Sequence, residues 1–357
     1  MSNVVQLSFP PRSQSKAATQ AALLHLFASH RRSQDDVFWM KENAEILNIL
    51  ECSGQEVAEG ALTPHEEFYA TIEERFEFFP QYYRFFLSIC LDLEDLGLPG
   101  SKGAALVAWA ARQGLADAEL SDLQRGEARR LMLRRGIDPM SHDPGLDDRL
   151  RAFVERPATF VMPNKKAAYE LTHTVFYLSE YGRKSPELTG RTKECLNFAG
   201  TLAYLDGNAD LLAEICVAMR FAGFPPPVAW EDWLTGETNG FTVQKGDGDM
   251  AQDDYHEYLV GNWSLAARGE TPFPHSVPDG YARFVARPRF QAPLRPMSET
   301  LLNLGAARSD DWARMRDRMI NDLPEESRPQ LLSAEVACDD FETFFAGFAR
   351  TGLRRLA

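Results

Sequence analysis

Two apolar helical runs, 188–205 and 209–222, are separated only by Asp206-Gly207-Asn208. So short a connection makes them antiparallel neighbours, an αα-hairpin. Asn208 is a good N-cap, and Asp210 complements the dipole of the second helix. The same 3.6-residue period recurs along most of the chain, and the alternating pattern of a half-buried strand is missing. It predicts helices over about 15–30, from Asp35 to Leu50, and from Gln81 to Leu93. It continues over 102–113, 117–135, 147–156 and 165–181. Thr63-Pro64-His65-Glu66 marks a further start, with a capping hydroxyl and a proline at the first position, and that helix ends near Phe79-Pro80. Helical patterning returns at 297–304, 309–320 and 339–356.

Between 223 and 300 the texture changes. Pro272, Pro274, Pro278, Pro288, Pro293 and Pro296 interrupt the pattern, leaving helical patches at 229–234 and 252–267. Phe241-Thr242-Val243 has the composition of one short strand, but a single strand cannot make a sheet. The irregular segment 236–296 is expected to wrap the helical body and close over one end of it. No repeat of fixed period appears, which argues against a regular solenoid. The expected fold is all-α: a toroid-like stack of antiparallel helix pairs with a long proline-rich wrapping loop. One helical domain, 1–357, would have an N-terminal half, 1–156, and a C-terminal half, 157–357, carrying the site.

Composition narrows the partners. Thirty-eight basic residues face 52 acidic ones, a net charge of −14. That lacks the basic footprint that phosphate backbones need, and it disfavours an anionic membrane surface. No apolar run of about 18 residues reads as a membrane span. The five cysteines include no CxxC pair, so they form neither a thiolate zinc site nor an obvious disulfide framework. These features fit a cytoplasmic protein with neither nucleic-acid nor membrane partners; the oligomeric state is open.

The residues that carry chemistry lie in the second half. Glu170-Leu171-Thr172-His173 places a carboxylate and an imidazole at i and i+3 in an apolar helical run. Both can reach one ion from a single helix face. Asp210 and Glu214 stand at i and i+4 on the second helix of the hairpin, and Glu214 is embedded in apolar sequence. A glutamate so placed is unusual unless it is paired. Asp253 and His256 repeat the carboxylate-to-imidazole spacing. The candidate metal ligands are therefore His173, His256, Glu170, Glu214, Asp210 and Asp253, and the candidate catalytic residues are Glu170, Glu214 and Tyr177. Two imidazoles among carboxylates suit zinc, iron or manganese rather than calcium or magnesium. Gly-rich phosphate loops and the GxSxG nucleophile elbow are absent.

The string ELTHTVFYLSEYG from Glu170 to Gly182, the helix DLLAEICVAMRFAG, and the pair Tyr255-His256 resemble an uncharacterised bacterial all-helical family. That family is similar in outline to α/α-toroid proteins such as terpenoid cyclases and lanthionine-type cyclases. The resemblance covers about residues 160–265. It implies that Glu170, His173, Glu214 and His256 share a cavity at the centre of the toroid. Lanthionine-type cyclases hold zinc through two cysteines and a histidine; this chain lacks the Cys-His pair, so that activity is not carried over. Asp253-Asp254-Tyr255-His256-Glu257 formally matches a DDxxE diphosphate motif, but it lies far toward the C-terminus and has no NDxxSxxxE partner.

The expectation is a metal-dependent enzyme, with zinc or iron as the divalent ion and a small-molecule or peptide substrate. A metal-free terpenoid-type cyclase is one alternative. The other is a non-catalytic helical interaction protein, in which the polar cluster is a buried network fixing helix register.

Overall fold

The computed structural model describes residues 15–246 and 253–352. Sixteen α-helices lie among the described residues. The first seven are α1 (Lys16–Ser29), α2 (Val37–Cys52), α3 (Glu66–Phe78), α4 (Tyr83–Asp95), α5 (Lys102–Arg112), α6 (Asp122–Leu133) and α7 (Leu146–Val154). Next come α8 (Lys165–Leu178), α9 (Gly190–Leu205), α10 (Ala209–Phe221), α11 (Val228–Asn239) and α12 (Tyr255–Arg268). The last four are α13 (Leu294–Leu304), α14 (Trp312–Asp322), α15 (Arg328–Ala337) and α16 (Phe341–Phe348). Capping fixes several starts as the sequence implies. Asn208 accepts the Leu211 N–H at 3.1 Å to open α10, and Asn164 accepts the Ala167 N–H at 3.1 Å to open α8.

Three local expectations change. Thr63-Pro64-His65 forms a 3-10 turn leading into α3, and the Thr63 hydroxyl does not cap it. α15 lies where the sequence pattern predicts no helix, and it begins with Pro329 at an early position where a missing N–H is harmless. The strand near Phe241 has a partner after all. β1 (Thr242–Lys245) pairs antiparallel with β2 (Ala282–Val285), Thr242 opposite Val285. Residues 236–296 are therefore more regular than their prolines imply, since they also carry the whole of α12.

Packing follows an alternating order. α2 packs on α4, α4 on α6, α6 on α8, α8 on α10 and α10 on α12, and α12 returns to α2. α1, α3, α5, α7, α9 and α11 each lie against the even-numbered helix that follows. Paired contacts set the direction of neighbours. Tyr169–Asp210 and His173–Glu214 both join α8 to α10 in ascending order, so these two helices run parallel. Arg84–Glu127 and Asp92–Arg134 do the same for α4 and the end of α6.

α10 explains its own central place. Leu211 through Met219 are all buried, so the helix has no solvent face and must be packed all round. Each fully buried Leu or Ile in it contributes about 1.5–3 kcal/mol. Gly200 on α9 lets α11 come close: a Cβ there would lie 2.3 Å from the Trp230 ring. Between α1, α2 and β2, the buried Arg31 bonds Glu42 at 2.7 Å and both Asp253 oxygens at 2.9 Å. It also donates to the Ala282 carbonyl at 3.2 Å. This ties the start of α12 and the sheet to the first helices.

Candidate functional site

All six even-numbered helices from α2 to α12 face one cavity of about 200 Å³, to which they contribute Glu45, Arg84, Glu127, His173, Glu214 and Trp263 in turn. A second chamber of about 300 Å³ shares Arg84, Phe85, Glu127, His173 and Tyr177 with it, and adds Gln81, Tyr82, Leu123 and Gln124. Arg84 is held by Glu119 at 2.9 Å and by Glu127.

Beside Glu214, which lines the cavity, stand Asp210 and His256, and each of the three offers a ligand atom within 4.8 Å of the others. The His256 ring is clamped at both nitrogens: Nδ1 meets Asp210, and Nε2 lies 3.1 Å from Glu45. Burial opposes charge on this ring, but Glu45 and Asp210 outweigh it and push the imidazole up to about 11. The effect is reciprocal. Burial would raise Glu45 and Asp210, yet the charge and hydrogen bonds of His256 hold both carboxyls below their usual range. The Tyr169 hydroxyl donates to the second Asp210 oxygen at 2.7 Å.

Glu214 behaves differently. It is 3% exposed, and burial pushes its carboxyl above the ordinary range. Thr172 donates to its Oε2 at 2.7 Å, and His173 Nε2 lies 3.7 Å from the same oxygen. The Tyr177 ring stacks on His173 with centroids 5.9 Å apart, and burial raises its hydroxyl well above the usual tyrosine range. The site thus pairs an imidazolium between two carboxylates with a buried glutamate, whose carboxyl burial pushes upward, beside an accessible imidazole. Such a pair can pass a proton to or from a bound molecule.

The donor chemistry fits a divalent ion. Two carboxylates and an imidazole are borderline ligands suited to zinc, manganese or iron. Bonds of about 2.0–2.2 Å to one centre bring ligand atoms closer together than the observed 4.8 Å limit, so the group must contract slightly. His256 must also lose the proton it shares with Asp210, which makes ion binding compete with protonation.

The sequence-derived candidates divide. His173, Asp210, Glu214, His256 and Tyr177 come together. Glu170 does not: its side chain is 39% exposed and faces Lys166 at 3.9 Å. The inward stripe of α8 runs Tyr169, His173, Tyr177 at i, i+4 and i+8, and Glu170 falls on the neighbouring stripe. Asp253 is also elsewhere. It precedes α12, so helical spacing does not apply to it, and both its oxygens serve Arg31 while Oδ2 accepts the Phe284 N–H at 3.0 Å. Glu45 was missed. Its signal is present in α2, where Lys41, Glu45 and Asn48 recur at helical spacing within an apolar run.

The chain is thus an all-α protein with titratable groups gathered in an internal cavity. It belongs to the family described as Domain of unknown function (DUF6902), whose family model matches residues 1–351. No curated protein and no solved structure matches the chain. Among the described residues no helix is long and apolar enough to cross a membrane.

Proposed function

We propose that this chain is a divalent-metal-dependent enzyme acting on a small molecule inside an α/α toroid. In this reading α2, α4, α6, α8, α10 and α12 form the inner ring and the odd-numbered helices up to α11 the outer one. The alternating packing order and the return of α12 to α2 support it. The observation that carries the functional reading is the Asp210, Glu214 and His256 group, whose Glu214 lines a cavity reached by every inner helix. A divalent ion, zinc or iron, would polarise a water or a substrate oxygen there. Asp210, Glu214 and His256 would hold it. His173, stacked on Tyr177 and open to the cavity, would move the proton, and Glu45 would orient His256.

The test is metal analysis of protein purified without a histidine tag. About one zinc, iron or manganese per chain is expected, lost in Asp210→Asn, Glu214→Gln and His256→Ala with helical content unchanged. A wild-type protein that is metal-free and binds none of these ions on addition overturns the reading.

A second reading has its own support. Phe85, Phe176, Tyr177, Tyr181 and Trp263 line the same cavity, and burial pushes the Glu214 carboxyl above its ordinary range. An aromatic chamber with a carboxylic acid in its wall is the equipment of a metal-free, proton-initiated terpenoid-type cyclase. Catalysis that survives complete removal of metal and is abolished by Glu214→Gln would select it.

A further inference from the structure

A cavity of about 610 Å³ lies apart from the central one and shares no lining residue with it. That volume is ordinary for a ligand site, about 300–1,000 Å³. α15 packs on both α9 and α11, but Pro225-Pro226-Pro227 cannot extend α11 backward. The link runs extended instead, with Pro227 at φ −58° and ψ 131°, and a groove is left between it and α15. Lys193 and Asn197, one turn apart on α9, form its third side.

Asn197 is set apart by what it lacks. It is 4% exposed, and its main-chain carbonyl accepts the Thr201 hydroxyl at 2.7 Å. Its carboxamide bonds to no described residue, yet neither amide atom is wholly shut off, so the amide faces the groove that Asn197 lines. Asn43 and Asn262, also buried, spend their amides on main-chain carbonyls at 3.0 and 2.8 Å. A carboxamide kept this deep without a partner is costly unless something arrives to bond it.

The rest of the lining narrows what that something is. The only charged lining groups, Lys193 and Asp339, meet each other at 3.3 Å. The groove therefore presents no net charge, despite the −14 of the whole chain. Val228 and Val336, on facing sides, are 64% and 85% exposed, and Pro225 and Ala337 extend the two apolar edges. Ser333 accepts the Tyr204 hydroxyl at 3.2 Å and keeps its own hydrogen free to donate.

We propose that this groove binds an extended, uncharged peptide segment of a partner protein, carrying small aliphatic side chains. An extended segment leaves its own N–H and C=O groups unpaired. The Asn197 carboxamide offers an acceptor and a donor in one plane, which match a single peptide unit. The Ser333 hydroxyl would donate to a neighbouring carbonyl, and the aliphatic side chains would pack between Val228 and Val336. A charged segment gains nothing here, because Lys193 and Asp339 already satisfy one another. The site goes beyond the proposed function and does not depend on a metal.

The full-length chain is titrated by calorimetry with capped tetrapeptides of Ala, Val, Pro and Gly. Two comparison sets are the same peptides N-methylated at Ala and Val, and peptides with Asp or Lys in place of Val. At least one neutral peptide should saturate, equally with and without added zinc, while both comparison sets bind at least tenfold more weakly. Asn197→Leu should weaken binding at least tenfold. Its thermal midpoint without peptide should equal or exceed wild type, because an unpartnered buried amide is removed. Val336→Asp, at an exposed position, should fold like wild type and weaken binding comparably. The proposal is overturned if no neutral peptide binds, if either comparison set binds as well, or if either variant binds like wild type. A clear loss of thermal stability in Asn197→Leu also overturns it, since the amide would then serve the fold. A wild-type chain that dimerises, and becomes monomeric in Val336→Asp, would give the groove to a second copy and likewise overturn it.

Discussion

Replacing Asp253 by alanine separates a structural from a metal-binding role for this carboxylate. Its oxygens accept from Arg31 Nη1 and Nη2, both at 2.9 Å, with the two side chains 0% and 2% exposed. Asp253→Ala leaves Arg31 a single carboxylate, Glu42, which it shares with Arg32, and it orphans the Phe284 N–H. Breaking one side of a buried pair costs about 3–5 kcal/mol. With a urea dependence of about 3 kcal/mol/M for a chain of this size, the unfolding midpoint should fall by about 1 M or more. Asp253→Asn, which keeps an acceptor for Phe284, should lose less. The double variant Arg31→Met/Asp253→Leu should be more stable than Asp253→Ala, because apolar replacement of both partners leaves no stranded charge. Metal content should be unchanged in all three. A midpoint shift below about 0.3 M in Asp253→Ala, or loss of bound metal, would refute the assignment of this residue to the fold.

Three further outcomes follow from the geometry. Glu170→Ala, at a half-exposed surface position, should change the urea midpoint by no more than about 0.5 kcal/mol equivalent and leave metal content intact; a loss of metal would return Glu170 to the site. Gly200→Ala should cost about 1–3 kcal/mol in the same assay, since its Cβ would meet the buried Trp230 ring at 2.3 Å; a neutral result would mean α9 and α11 do not approach so closely. In metal-depleted protein, burial raises the Glu214 carboxyl above the ordinary range in which the unfolded chain titrates, so stability is greatest below that range and falls as pH rises from it toward the raised folded value. Glu214→Gln does not titrate, so its thermal midpoint should gain on wild type between pH 4 and pH 8, and an equal difference at both would contradict the buried-acid description.

The helices and the gathering of His173, Asp210, Glu214 and His256 were legible because each depends on spacing within one element, or on charge embedded in an apolar run. What escaped is long-range or lies at element boundaries. Glu45 joins the cluster only because α12 packs back on α2, a pairing no local pattern encodes. Glu170 was misplaced because i and i+3 define a face only loosely; the i, i+4, i+8 stripe of Tyr169, His173 and Tyr177 is the sharper guide. Asp253 was misplaced because helical geometry was extended across a helix start. β2 was hidden because four residues with Arg283 and Phe284 among prolines carry little alternation.

The Arg31–Asp253 bridge joins positions 222 residues apart in the chain. Bringing such distant points together costs about 5 kcal/mol of chain entropy by the logarithmic closure rule, before any contact there repays it. Neighbouring even-numbered helices can associate as the chain lengthens, but the seam between α2 and α12 must wait for almost all of them. Closure of that seam is therefore the natural late, slow event of folding. An N-terminal fragment emerging during synthesis would display the unmatched flank of α2, with Glu45 and the local Arg31–Glu42 pair open to solvent, until His256 and Asp253 arrive. The charged groups that later meet Asp253 and His256 would keep that flank hydrated and resistant to premature association in the interval.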